Sequence, residues 1–457
     1  MQRLLLIFIA VAVTSCSFDN KTGIWKDATK IPVESQSTET IVDNNSNARY
    51  ENTFIKNETF NEEKEPLKFT NVQIDTPIKI VNWTERYALP TNNISNFSYS
   101  DNKVLLFKSP KLSKPLSNKK HSNKSIVFYK NNLISHDHKG AIFIYSLNLN
   151  KKIFKYNFYK KNFKNFDKKI YLIVNENILY AADNLGYLYA INLDNSSIIW
   201  AKNYGIPFRS NLKFANNQIF VANQDNVIYS VDPKTGDKNW QFATSLTFLK
   251  SDFENTLALD LINNTLFFMN TSGELYSINY TTKQINWIVN FKGSSLIEDT
   301  ELFLSQPIVL KNNNLIISTE KAILSYNPVF GSRNWSFSAE PIIKPIITSD
   351  YTFVVLKNNL LICLDNTNGN VVWSKNIFAD IEDNKIIKNI DSIIDFKIVD
   401  SKIQVYFRSG HQLSFNFKNG NLNYSDRISK NGINSEIIFL NNNMFLVDSK
   451  NKLLKFN

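Results

Sequence analysis

Aromatic residues return at intervals of 38 to 51 positions through most of this chain, and each return carries the same local pattern. In YSVDPKTGDKNW, Tyr229 leads to Asp232 three residues later, and Trp240 follows eight residues after that. The pattern recurs as YAINLDNSSIIW, YSINYTTKQINW, LSYNPVFGSRNW and ICLDNTNGNVVW, ending at Trp200, Trp287, Trp335 and Trp373. Two copies end in tyrosine instead, at Tyr156 and Tyr424. The polar position is Asn148, Asn192, Asp232, Asn279, Asn327, Asp365 and Asn416, and glycine stands four before the aromatic at Gly236, Gly331, Gly369 and Gly420. A period of about 45 residues matches one four-stranded propeller blade.

One unit shows the strands. SNLKF (210–214), QIFVAN (218–223), NVIYSVD (226–232) and KNWQF (238–242) are rich in Val, Ile, Phe and Tyr, and Asn, Asp, Pro and Gly separate them. The Asp or Asn is expected to cap the turn after the third strand, and the glycine to supply positive φ. The aromatic on the outer strand is expected to lie between neighbouring blades. Trp83, Tyr156, Trp200, Trp240, Trp287, Trp335, Trp373 and Tyr424 are assigned this role.

The ends of the chain complete the count. EIIFLNNNMFLVDSKNKLLKFN supplies three strands and stops at Asn457, the polar position of the motif. PIKIVNW (77–83) is an unpaired strand ending in an aromatic. The predicted fold is therefore an all-β, eight-bladed propeller over 77–457, its last blade closed by the N-terminal strand, which leaves no exposed sheet edge between first and last blade. Residues 90–124 read as a long connection. The propeller is expected to be monomeric.

The N-terminus has a different character. MQRLLLIFIAVAVTSC has Arg3, an apolar run from Leu4 to Val13 too short for a stable membrane span, and then Cys16. This resembles a bacterial lipobox, with 1–15 as signal peptide and Cys16 as the lipidated residue; an ordinary signal peptide with an incidental cysteine is the alternative. Lipidation on several acyl chains would give stable attachment. Residues 16–76 are polar without sustained period and read as a flexible tether, in which Trp25 is a candidate membrane or partner contact. With Cys16 acylated, Cys363 in NLLICLD is expected to be a free, buried thiol.

The net charge of +11 invites a nucleic-acid reading. The lysines are scattered through turns, and no nucleic-acid motif accompanies them, so no such partner is expected. HDHKG (136–140) has two potential metal ligands. It aligns with the second-to-third-strand turns of other repeats, as does His411, and is read as a turn; no metal or cofactor is assigned. No Ser/His/Asp or Cys/His set suggests a catalytic centre.

Lipobox, tether and eight aromatic-docking repeats together resemble the BamB family of propeller lipoproteins. Similar repeats occur in quinone-dependent dehydrogenases, which would need a polar funnel and metal-ligand carboxylates. The BamB resemblance implies a non-enzymatic scaffold on the periplasmic face of the outer membrane, a place in the β-barrel assembly (BAM) complex, and binding of BamA through its POTRA domains in support of outer-membrane protein folding. Ser17 after the cysteine agrees with outer-membrane sorting in such lipoproteins. Pro207-Phe208-Arg209-Ser210 resembles the family's partner-binding loop, which implies Arg209 as a contact with Phe208 as apolar anchor. The alternatives are a quinone-dependent periplasmic dehydrogenase and a glycan- or peptidoglycan-binding propeller.

Overall fold

Eight four-stranded antiparallel sheets stand around a central axis in the computed structural model. It describes residues 59–68, 71–114, 125–159, 163, 166–245, 256–291, 303–381 and 384–457, together with the backbone of four short strands between 16 and 50. Blade 1 consists of Val127–Tyr129, Asn132–His136, Ala141–Ser146 and Lys151–Asn157. From innermost to outermost strand, blade 2 runs from Ile170–Asn175 to Ile198–Asn203, and blade 3 from Lys213–Ala215 to Lys238–Ala243. Blade 4 runs from Leu257–Asp260 to Gln284–Asn290, and blade 5 from Val309–Lys311 to Arg333–Ser338. Blade 6 runs from Ile346–Ile347 to Val371–Asn376, and blade 7 from Ile393–Val399 to Leu422–Arg427. Blade 8 joins Ile438–Leu440, Asn443–Val447 and Lys452–Phe456 to Leu105–Lys111.

The repeat motif works through close approach as well as through turn conformation. Asp232 Oδ1 accepts from the amides of Lys234 and Thr235, and Asn192, Asn279, Asn327, Asp365 and Asn416 cap their turns in the same way. A β-bulge precedes each tryptophan and turns its side chain toward the next blade. For four of the five the ring lies on the following repeat's glycine: a Cβ on Gly236 would stand 2.5 Å from Trp200, and one on Gly420 2.6 Å from Trp373; the repeat after Trp240 has Lys283 at that position. Gly331 and Gly369 receive Trp287 and Trp335 alike. In those four the indole Nε1 donates to the carbonyl after the turn's Asp or Asn, as in Trp200 to Pro233 at 2.9 Å and Trp335 to Asn366 at 2.8 Å, whereas Trp240 donates to Gln218 Oε1 of its own blade at 3.1 Å. Cys363, free and buried, stands opposite Trp373 where blades 3, 4 and 5 place serine and blade 2 places Ala190.

Two aromatic assignments need adjustment. In blade 1 the residue after the bulge is Phe154, which packs into the interblade core. Tyr156 lies two positions further along, is 40% exposed, and meets Phe158 edge-on. The hairpin there is shorter, so the bulge falls earlier. Tyr424 is not docked on a next-blade turn, because blade 8 takes its outer strand from elsewhere in the chain. Its hydroxyl faces Asp101, and the Lys103 ammonium stands 3.2 Å from its ring centroid.

The largest correction concerns Trp83. The strand that closes blade 8 is Leu105–Lys111, antiparallel to Lys452–Phe456, and not 77–83. Trp83 lies at the centre of the ring, paired through both backbone bonds with Phe128 on the innermost strand of blade 1. Residues 78–100 thread the central channel and bond the inner wall blade by blade. Val174 donates to Thr84, Leu259 to Pro90 and Leu310 to Thr91; Phe97 donates to Ile398, and Asn441 to Ile80. Asn92 donates to the carbonyls of both Leu257 and Ile308, and Asn93 pairs with both backbone groups of Ile347. On blade 3 the contact is an ion pair, Lys213 to Glu85. The innermost strands have one unpaired edge each, and the plug satisfies those groups away from water. Residues 90–124 are therefore not a surface connection in their described part: they leave the channel and then form the closing strand.

From Glu39 onward, the segment read as a flexible tether is docked on the blades where it is described. Glu39–Val42 adds in parallel to the outer strand of blade 3, and Arg49–Tyr50 to that of blade 4. The Phe60 amide donates to Ser338 on blade 5, and Lys64 pairs with Ser374 on blade 6. Val72 is buried against blades 6 and 7. Outermost strands offer free edges, and an extended polar segment can occupy them without a hydrophobic core of its own.

Candidate partner surface and channel mouth

One end of the channel carries both features the sequence singled out. The loops that enter each innermost strand emerge there, beside the turns between second and third strands. These turns share a polar cap. Asp183 Oδ1 accepts from the amides of Leu185 and Tyr187, Asn223 from Asp225 and Val227, and Asp448 from Lys450 and Lys452. HDHKG belongs to this set: Asp137 Oδ1 accepts from Lys139 at 3.0 Å and Ala141 at 2.9 Å. His411 opens the equivalent strand of blade 7, where its Nδ1 meets Ser409 Oγ at 2.9 Å. Burial lowers its pKa.

The loop from blade 2 to blade 3 is held by backbone bonds on both sides. Tyr204 donates to Gly186 and Phe208 to Asp183 on blade 2; Arg209 donates to Ala222, and Gln224 donates back to Pro207. Gly186 allows this approach, since a Cβ there would stand 2.8 Å from the Ile206 carbonyl oxygen. Phe208 is 0% exposed and packs in the core between blades 2 and 3. An apolar anchor on a partner needs surface, and Phe208 offers none; its aromatic character serves the interblade core. Arg209 is 7% exposed, and its Nη2 donates to Gln224 Oε1 at 3.0 Å. The solvent-facing residues of the loop are Asn203, Gly205 and, in part, Ile206. Pro207-Phe208-Arg209-Ser210 carries the resemblance in the sequence, but a local string does not say which side chains the neighbouring turns will cover.

Burial shifts further titratable groups on this face and in the channel. Desolvation raises the Asp183 carboxyl to about 7 against its turn-amide bonds, which act in the other direction. Glu85 is raised and Lys213 lowered by burial, each opposed by the other's charge. Among the described residues no group of three or more His, Cys, Asp or Glu side chains is arranged to hold a metal ion. None of their helices is long and apolar enough to cross a membrane. Cys16 lies in a short strand, Cys16–Asp19, paired with Ile24–Asp27, which contains Trp25. The signal-peptide reading of 1–15 lies outside the described residues.

The family described as outer membrane protein assembly factor BamB matches over residues 162–375 and 263–457. A protein of that name from Legionella pneumophila (strain Paris) is 29% identical over 69 residues, which is 15% of this chain and 17% of that protein's length. The crystal structure of BamB from Moraxella catarrhalis superposes with a TM-score of 0.60 at 13% identity, over 78% of this chain and 99% of that one. The quinohemoprotein alcohol dehydrogenase from Comamonas testosteroni reaches a TM-score of 0.59 at 8% identity, covering 82% and 80%. At such identities the two structures share the propeller fold with this chain.

Proposed function

Because the chain belongs to the family of outer membrane protein assembly factor BamB, we propose that it is a non-enzymatic scaffold of the β-barrel assembly machinery. In this reading Cys16 carries a lipid that holds the protein on the periplasmic face of the outer membrane. The propeller binds BamA through the POTRA domains and helps outer-membrane proteins to fold and insert. The observation that carries the reading is the filled channel. Where a dehydrogenase of this architecture would need a funnel for its cofactor, residues 78–100 bond to the inner wall around the ring. That leaves the faces and loops as working surface.

The loop between blades 2 and 3 is the favoured contact. Its backbone bonds to both flanking turns present Asn203 to Ile206 in one conformation, so little ordering entropy opposes binding. Arg209 acts as a positioning residue from behind, through Gln224. The test is affinity purification of tagged, membrane-extracted protein, followed by titration against purified BamA POTRA domains. BamA is expected in stoichiometric amount, and Ile206→Glu is expected to weaken POTRA binding at least tenfold. Purification without BamA, but with a quinone or a glycan, would overturn the scaffold reading. For the anchor, Cys16→Ser is expected to move the protein from the membrane fraction to the soluble periplasmic fraction.

A further inference from the structure

At the same end of the channel a cavity of about 430 Å³ lies over the plug. Its floor includes Arg86 and Tyr87, from the channel segment. Its wall comes from residues at or near the starts of several innermost strands: Lys169 of blade 2, Thr256 of blade 4, Pro307 of blade 5, Lys344 of blade 6 and Glu436 of blade 8. Arg408 enters from the turn of blade 7. The volume falls in the range of small-ligand sites, roughly 300–1,000 Å³.

Among the described residues that line it, cations outnumber carboxylates. Arg86, Lys169, Lys344, Lys397 and Arg408 face Asp395 and Glu436. Both carboxylates are already engaged, Glu436 by Arg86 at 3.3 Å and Asp395 by Lys397 at 2.8 Å. Arg408 Nε donates to Ser392 Oγ. Lys344 has a long contact from Nζ to the Pro345 carbonyl, 3.4 Å, stands 5.6 Å from the Tyr87 ring centroid, and has no carboxylate at ion-pair distance among the described residues. Burial first, and then the neighbouring Lys397, lower its pKa to about 7. Asp395 and Glu436 act on this cation only from beyond ion-pair distance. Beside it the mixed lining offers an apolar patch of Tyr87, Ile342, Ile343, Ile394, Phe396 and Pro307, with Ser305 and Gln306 among the polar residues.

We propose that this mouth binds an organic anion, a carboxylate carried on a small apolar body, with Lys344 as its charge partner. The carboxylate accepts from the Lys344 ammonium, and the body lies against the isoleucine-rich patch. Such a group can come from the free C-terminus of a peptide or from a small free acid. The site is separate from the loop contact proposed above and does not depend on it.

The test is fluorescence anisotropy on the full chain with three labelled probes: a Gly-Gly-Leu peptide with free C-terminal carboxylate, its C-terminal amide, and 4-phenylbutyrate. Saturable binding of the free-acid peptide is expected, with the amide at least tenfold weaker. If 4-phenylbutyrate alone binds, the source is a small acid; if the peptide binds more tightly, it is a chain end. Lys344→Met is expected to weaken binding at least tenfold. Lys344→Arg, which keeps the charge, should retain most of it and serves if the methionine variant fails to fold. Lys357→Met, at an exposed site on the same blade, should bind as the parent does. Equal binding of acid and amide, unchanged binding by Lys344→Met, or no saturable binding at millimolar probe would overturn the proposal. Inorganic phosphate competing as well as the carboxylates would overturn the role of the apolar body.

Discussion

The belt of the ring and its centre are built by opposite means. Around the belt, one motif repeats at Trp200, Trp287, Trp335 and Trp373: a bulge, a tryptophan, and a glycine of the next blade that receives it. At the centre a single non-repeating segment, 78–100, meets each blade differently, by strand pairing, asparagine amides or a buried ion pair. A periodic surface can be matched by a periodic sequence. Where the blades converge, each offers its own backbone edge at a different angle, and one chain crossing them must solve each contact separately. Stability in the belt is therefore shared among similar contacts. In the plug it rests on individual ones.

The largest effect is expected in the belt. Trp373 is fully buried and stacked on Gly420. Trp373→Ala should cost about 3–5 kcal/mol and lower the unfolding temperature of the whole ring. A melt unchanged from the parent would mean that blades hold together without the docked aromatic.

A comparable loss is expected from one residue in the plug, with a different signature. Lys213→Met leaves Glu85 buried without its cation, and breaking such a pair costs about 3–5 kcal/mol. Burial already raises the Glu85 pKa, and losing Lys213 raises it further. A raised carboxyl is least unfavourable while protonated. The defect should therefore shrink toward pH 5 and grow toward pH 8 in denaturant titrations. Adding Glu85→Leu should recover most of the loss. A defect independent of pH, or no recovery in the double variant, would remove the ion pair from the account of the plug.

A smaller change of opposite sign is expected at Asp183. Its folded pKa of about 7 stands above the unfolded value near 4, so folding retains a proton that the unfolded chain releases. The stability this proton supplies is present at pH 4 and is lost as pH rises to 7. Blade 3 uses Asn223 at the equivalent turn with the same pair of amide bonds. Asp183→Asn should keep the turn, leave stability unchanged at pH 4, and add about 1–3 kcal/mol at pH 8. An equal effect at both pH values would show that the carboxyl is not titrating where burial puts it.

The belt was legible because its chemistry is local. Asp232, Gly236 and Trp240 announce turn, positive φ and docking ring within one stretch of sequence, and the other copies repeat the pattern. The polar turn reading of HDHKG followed from the same alignment. Trp83 and Phe208 were harder. PIKIVNW has the composition of an outer strand, and so does VLLFKSPKL. Both can form a strand, and nothing within either segment says which edge it will meet. Likewise, Phe208 reads as an anchor until the turns at Asp183 and Asn223 close over it.

The sequence by itself therefore determined the number of blades, their strand order, and the five tryptophans that fasten one to the next, because each depends on contacts within one repeat or between adjacent ones. The tertiary structure alone decided what fills the centre, which strand closes the ring, and how far each cation of the channel stands from a carboxylate. Those outcomes depend on groups brought together from distant parts of the chain. Lys213 and Glu85, or Lys344 and the carboxylates beyond ion-pair distance of it, are defined only when the ring has closed.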